Sequence, residues 1–141
     1  MVIRTLLILG LTIAGIVTVG CGSGGTAAPT QMPQVTAADE MAARVRLLSI
    51  ANAEQRYQAE SGSEYGSLDQ LKEKGYLIDP SGGALNRYKF EVKLRPQGFE
   101  ATAVPEKYGV SGNRSFYVDE LQTLHGADKG GAKATAADPV L

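Results

Sequence analysis

Apolar and polar residues alternate with a different period in each part of this chain. Leu6 to Val19 is an almost unbroken apolar run without a charge. Gly22 to Val35 then has few large apolar side chains and much Gly, Pro, Thr and Ser, the composition of a flexible tether. From Thr36 the apolar residues recur at helical spacing. Met41, Val45, Leu48 and Asn52 fall on one stripe, flanked by Leu47, Ile50 and Ala51, which predicts a long helix with that stripe toward a core. Ala37 to Glu60 contains no Gly or Pro and is rich in strong helix formers. Thr36 is the expected cap, Asp39 and Glu40 lie in the first turn, and Ser61-Gly62 is the stop. A short second helix is predicted over Leu68 to Lys74, capped by Ser67 and ended at Gly75.

Beyond Asp79-Pro80-Ser81-Gly82-Gly83 the period becomes two. Tyr88, Phe90, Val92 and Leu94 alternate with Lys89, Glu91, Lys93 and Arg95, as in a strand with one buried face. Pro96-Gln97-Gly98 is the expected turn, and Phe99, Ala101 and Ala103 alternate with Glu100 and Thr102 in a second strand. Pro105 to Gly112 reads as a loop, Arg114 to Val118 as a third strand and Leu121 to His125 as a possible fourth, with Asp119-Glu120 in the turn between them. The tail from Gly126 is small and polar enough to be mobile. The consistent architecture is α+β: a long N-terminal helix packed on an antiparallel sheet of three or four strands. The expected divisions are residues 1–20, 21–35, a folded domain over 36–125 and a tail over 126–141.

The chain has 141 residues with a formal charge of −1, so electrostatics gives no reason to expect a nucleic-acid partner. One cysteine excludes an internal disulfide, which leaves stability to the core. No internal repeat is present.

The N-terminus carries more specific information. Met1-Val2-Ile3-Arg4 is a short cationic start to the apolar run. Fourteen residues of helix would reach only about 21 Å, short of a hydrocarbon core of about 30 Å. These are the proportions of a signal-peptide hydrophobic region. The run ends Val17-Thr18-Val19-Gly20-Cys21, which resembles the lipobox of bacterial lipoproteins, with threonine where leucine is more typical. The resemblance implies cleavage after Gly20, diacylglycerol transfer to the Cys21 sulfur and acylation of the new amino terminus. It implies a membrane partner held through the lipid, since each buried CH₂ contributes roughly 0.8 kcal/mol. Gly22-Ser23, without an aspartate after the cysteine, is similar to the pattern that sends Gram-negative lipoproteins to the outer membrane.

The rest resembles a second family. The stretch LLSIANAEQRYQAESGSEYGSLDQLKEKGYLID looks like pilin-domain sequence in which a helix runs into Tyr, Gly and a Leu-rich second helix. YKFEVKLRPQGFEATAVP resembles the central hairpin of such domains, and GNRSFYVDE followed by GGAKATAADPV resembles the ending of a group of bacterial pilins. Over roughly residues 40–140 the chain is thus similar to the periplasmic part of type IV pilins and type II secretion pseudopilins. The resemblance implies a pilin-like fold and protein partners in the cell envelope. It does not carry over the polymerisation mechanism. The prepilin cleavage site and the glutamate-bearing hydrophobic half-helix are missing, and linker and Cys21 stand in their place.

No arrangement points to catalysis, a cofactor or a metal site. His125 is the only histidine and reads as a surface or edge residue. Asp119-Glu120 reads as a solvated turn pair, with a cation as the alternative, although calcium needs six to eight oxygens. Gly109-Val110-Ser111-Gly112 lacks the strand-turn-helix frame of a nucleophile elbow. Gly22-Ser23-Gly24-Gly25 precedes no phosphate-binding helix start. Glu54 and Glu60, six apart, share no helix face. The six tyrosines read as packing residues with their hydroxyls at the surface. The expected function is a lipid-anchored, non-enzymatic interaction module in the envelope, in a secretion or pilus-type assembly. The alternative is a filament-forming pilin or pseudopilin subunit with an atypical N-terminus.

Overall fold

A computed structural model describes residues 32–78 and 87–141. The signal-like segment, Gly20, Cys21, the linker as far as residue 31 and the turn at 79–83 lie outside the described residues.

Helix α1 runs from Met32 to Glu60. It begins a turn earlier than the expected cap at Thr36, which lies inside it. Between Met32 and Thr36 Pro33 is the only helix-breaking residue type, and in the first turn its missing N–H has no helical acceptor in any case. The end falls where expected. Ser61 N–H donates to the Tyr57 carbonyl at 2.8 Å, and Gly62 takes φ +72°, the left-handed geometry that glycine tolerates at a helix stop. Helix α2 spans Leu68–Glu73 under a capping box: Ser67 Oγ accepts from Gln70 N, and the Gln70 side chain accepts from Ser67 N.

Four antiparallel strands follow as a meander in the order β1-β2-β3-β4. They are β1 Tyr88–Arg95, β2 Gly98–Pro105, β3 Arg114–Asp119 and β4 His125–Asp128. Val92 pairs with Ala101 and Leu94 with Phe99 in the first hairpin. Ala101 pairs with Val118 and Ala103 with Phe116 in the second. Register this regular places Phe90, Val92, Ala101, Ala103, Phe116 and Val118 on one face of the sheet, and α1 lies across that face. The α+β architecture read from the sequence is thus the observed one, with four strands.

The expected facing of α1 is reversed. Met41, Val45 and Leu48 are exposed at 56%, 57% and 39%, and Asn52 is exposed too. The residues buried against the sheet are Ala43, Leu47, Ile50, Ala51 and Glu54. At 100° per residue these two sets lie on opposite sides of the helix. Helix α1 is therefore apolar on both sides, and spacing alone does not choose between them. Leu47 and Ile50, assigned to the flank, sit at the centre of the core with Phe99, Phe116, Val118 and Leu71.

The segment from Gly126 also departs from its reading as a mobile tail. Gly126–Asp128 belongs to β4, whereas residues 121–124 form no strand. The last residues fold back: Gly126 N–H donates to the Pro139 carbonyl and Leu141 N–H to the Leu124 carbonyl. A Cβ on Gly126 would come within 2.7 Å of Leu141 and Phe116 side-chain carbons, so glycine is what lets the end of the chain sit there.

Candidate functional site

The face of the sheet turned away from α1 carries the polar half of each strand. Glu91, Lys93 and Arg95 from β1, Glu100 and Thr102 from β2, and Tyr117 and Asp119 from β3 share it with Ser115 and His125. The C-terminal segment forms a second layer on its β3–β4 side. It buries Ser115 and Tyr117, which are 0% and 3% exposed, and contributes Ala134 to that layer. Between this layer and β1 lies a cavity of about 420 Å³ walled by Lys133 to Ala137.

Its charges are largely matched. The Arg95 guanidinium donates to the Glu100 carboxylate and, at 3.0 Å, to the Tyr117 hydroxyl. That hydroxyl in turn donates to Asp119 Oδ2 at 3.4 Å. Lys133 Nζ reaches Glu91 Oε2 at 2.7 Å across the cavity mouth. Burial first, and Asp119 second, push the Tyr117 phenol above its ordinary range. The arrangement can hold a small polar molecule by hydrogen bonds.

The two acids of the β3–β4 turn diverge. Asp119 is buried and its Oδ1 accepts from Leu121 N at 3.0 Å, the side-chain-to-backbone bond of a turn former. The Glu120 carboxylate lies instead against Gly98. No group of three acidic, His or Cys side chains converges to hold a metal ion among the described residues. His125 stands at the start of β4, edge-on to Tyr117, with Nδ1 2.7 Å from the Asp138 carbonyl. Asp138 clamps the segment by accepting from Lys129 Nζ at 2.9 Å and Thr135 N at 2.8 Å. The Lys129 bond, followed by that of Thr135, holds its carboxyl below the usual range.

Glu54 is the titratable residue that sequence reasoning placed least well. It is fully buried on the core side of α1. Its Oε2 accepts from Gly66 N at 2.9 Å, while Oε1 has no partner. Burial raises its pKa from 4.5 to about 7 against the opposing effect of the Gly66 N–H. The available signal was its place four residues after Ile50 and seven after Leu47. Glu60 accepts instead from the Tyr76 hydroxyl at the surface, so the two glutamates act apart. Not all tyrosine hydroxyls reach solvent either: Tyr88 is buried and donates to the Arg114 carbonyl at 2.9 Å.

The remaining feature is the outer face of α1. The helix is pinned at its N-terminal half by Glu40, whose Oε1 accepts from Asn113 N at 2.9 Å and from Arg114 N. Asp39, buried, pairs with Arg87 at 3.5 Å. These contacts orient Met41, Val45 and Leu48 outward in a row.

No described helix is long and apolar enough to cross a membrane. No protein-family model matches the chain, and no curated protein sequence matches it.

Proposed function

We propose that this chain is a lipid-anchored protein of the bacterial envelope, cut after Gly20 and held by Cys21, whose pilin-like α+β domain works by binding protein partners and not by catalysis. The observation that carries the reading is the row Met41, Val45 and Leu48, exposed on the side of α1 opposite the sheet. Large apolar side chains in a row on a rigid helix are what a binding surface presents.

Mass spectrometry of the mature chain extracted from membranes tests the anchor. A first residue of Cys21 carrying diacylglycerol and an amide-linked acyl group is the expected result. Cys21→Ser abolishes lipid labelling and yields uncut precursor or soluble exported protein. A methylated or free terminus on the apolar segment would instead favour a filament subunit and overturn the reading.

A further inference from the structure

We infer that the outer face of α1 is the seam of a two-stranded parallel coiled coil with a second copy of this chain. The direction of the pairing rests on the lipid-anchor reading above; the seam itself rests on the helix.

Met41, Val45, Leu48 and Asn52 are spaced four, three and four, the spacing of successive d, a, d and a positions of a heptad. In that register Ala43, Ile50 and Tyr57 are f positions, and Leu47 and Glu54 are c positions. These are the sites farthest from a coiled-coil seam and the ones that meet the sheet and α2. Ala51, a g position, is buried as well, so the two surfaces meet only at that small side chain. A two-fold axis running alongside the exposed row places each sheet on the far side of its own helix, and the contact is isologous.

Residue types narrow the partner further. A β-branched residue at a with leucine at d favours two parallel strands, and Val45 and Leu48 occupy those positions. Asn52 stands at the next a position, where a single asparagine specifies register at some cost in stability because its amide is satisfied by its counterpart across the axis. In the single chain Asn52 Oδ1 accepts only a long bond of 3.4 Å from Gln122. Its amide N–H groups have no partner among the described residues. The two Asn52 side chains meet only when the helices are parallel and in register. Ala42, an e position, is small enough to admit a close approach, and Arg44 at g faces Ser49 of the second copy, so no like charges meet across the seam.

The anchor supplies the direction. Cys21 lies eleven positions before Met32, so two anchored copies present α1 by the same end. A seam of three large apolar side chains is below the roughly 800 Å² per partner of a standard interface, and it predicts weak association in dilute solution. Tethering both copies to one membrane raises their effective concentration toward roughly the millimolar range. The helix is already ordered on its sheet, so pairing immobilises only side chains.

The test uses the full chain in its own membrane, with single cysteines at Met41, Val45 or Leu48 oxidised to disulfides. All three are expected to give a covalent homodimer, whereas Glu73→Cys on the exposed side of α2 and the parent chain give none. Adding Val45→Glu to the Met41→Cys chain lowers the dimer yield at least tenfold without unfolding the protein, because position 45 is solvent-facing. Dimer at Val45→Cys alone would mean antiparallel helices and overturn the proposal. So would seam cysteines that cross-link no more than Glu73→Cys, which would leave the face to a lipid surface or a different protein. Cys21 reports separately in the parent chain. A thiol there that alkylates sinks the anchor reading, and the seam is then read in a Cys21→Ser background. Failure to cross-link beside a blocked, lipidated Cys21 sinks the pairing alone.

Discussion

Replacing Glu54 by glutamine isolates a carboxyl group that folding strips of water. The substitution keeps the shape of the side chain and an oxygen for the Gly66 N–H, and removes only the titration. The unfolded chain holds Glu54 near the ordinary 4.5, the folded protein near 7. The folded state therefore binds the proton more tightly, and between these two values it carries more protons than the unfolded state. Stability must fall as pH rises through that window and level off above it. The gap corresponds to about 3 kcal/mol, a large share of the roughly 5–15 kcal/mol of a typical domain. Glu54→Gln lacks this slope. Its amide nitrogen takes the place of Oε1, which has no partner in the parent protein. Any penalty there is independent of pH and displaces the whole curve without tilting it. Urea unfolding followed by circular dichroism at pH 4.5, 6 and 8 measures both proteins. The difference, variant minus parent, is expected to grow by about 3 kcal/mol from the lowest pH to the highest. Parallel pH profiles would refute the reasoning, since they would mean that Glu54 is hydrated or paired in the folded protein.

Three further outcomes follow from the packing. Leu47→Ala is expected to cost roughly 2–5 kcal/mol by opening a cavity beneath the sheet, while its neighbour Leu48→Ala changes stability by about 0.5 kcal/mol or less; denaturant midpoints of the two variants distinguish them directly. Gly126→Ala forces a methyl into Leu141 and Phe116 and is expected to destabilise by roughly 1–3 kcal/mol, read as a lower melting temperature. Asp138→Asn releases Lys129, so hydrogen exchange at Gly126 and Leu141 should accelerate while the β1–β2 amides keep their protection. In the parent protein the protection of the same amides, taken relative to their intrinsic exchange rates, should fall as pH drops through the lowered Asp138 pKa, because a depressed carboxylate contributes its stability above its ordinary pKa and loses it on protonation.

Different parts of the fold were legible to different degrees. The alternation of β1 was read correctly as far as Val92, with Tyr88, Phe90 and Val92 toward α1 and Lys89, Glu91 and Lys93 away from it, whereas Leu94, read on the same buried face, is 44% exposed at the end of the strand. A strand has only two faces, and here one of them is wholly charged. The capping box at Ser67 was partly legible as a cap because it is built from residues three apart. The C-terminal segment was not. Its small side chains have no periodicity, and what holds them is the face made by Tyr117, Ser115 and Glu91, contributed by distant strands. The Arg95–Tyr117–Asp119 chain of hydrogen bonds was hidden for the same reason: its members come from two strands that are not neighbours in the sheet.

The sequence by itself determined the extent of the helices to within a turn, the hairpin and its alternation, and the lipobox-like segment on which the proposed anchor depends. All of these are local, settled by residues within a few positions of one another. Only the tertiary structure decided which side of α1 is core. Helical periodicity sets the angle between side chains on one element, but it does not say which stripe meets a sheet that forms forty residues later. The flat surface of Ala101 and Ala103, bordered by Phe99, Phe116 and Val118, accepts Leu47, Ile50 and even the carboxyl of Glu54. It leaves the more regular stripe of Met41, Val45 and Leu48 to solvent, because a helix lying on one sheet can bury only one of two opposite faces.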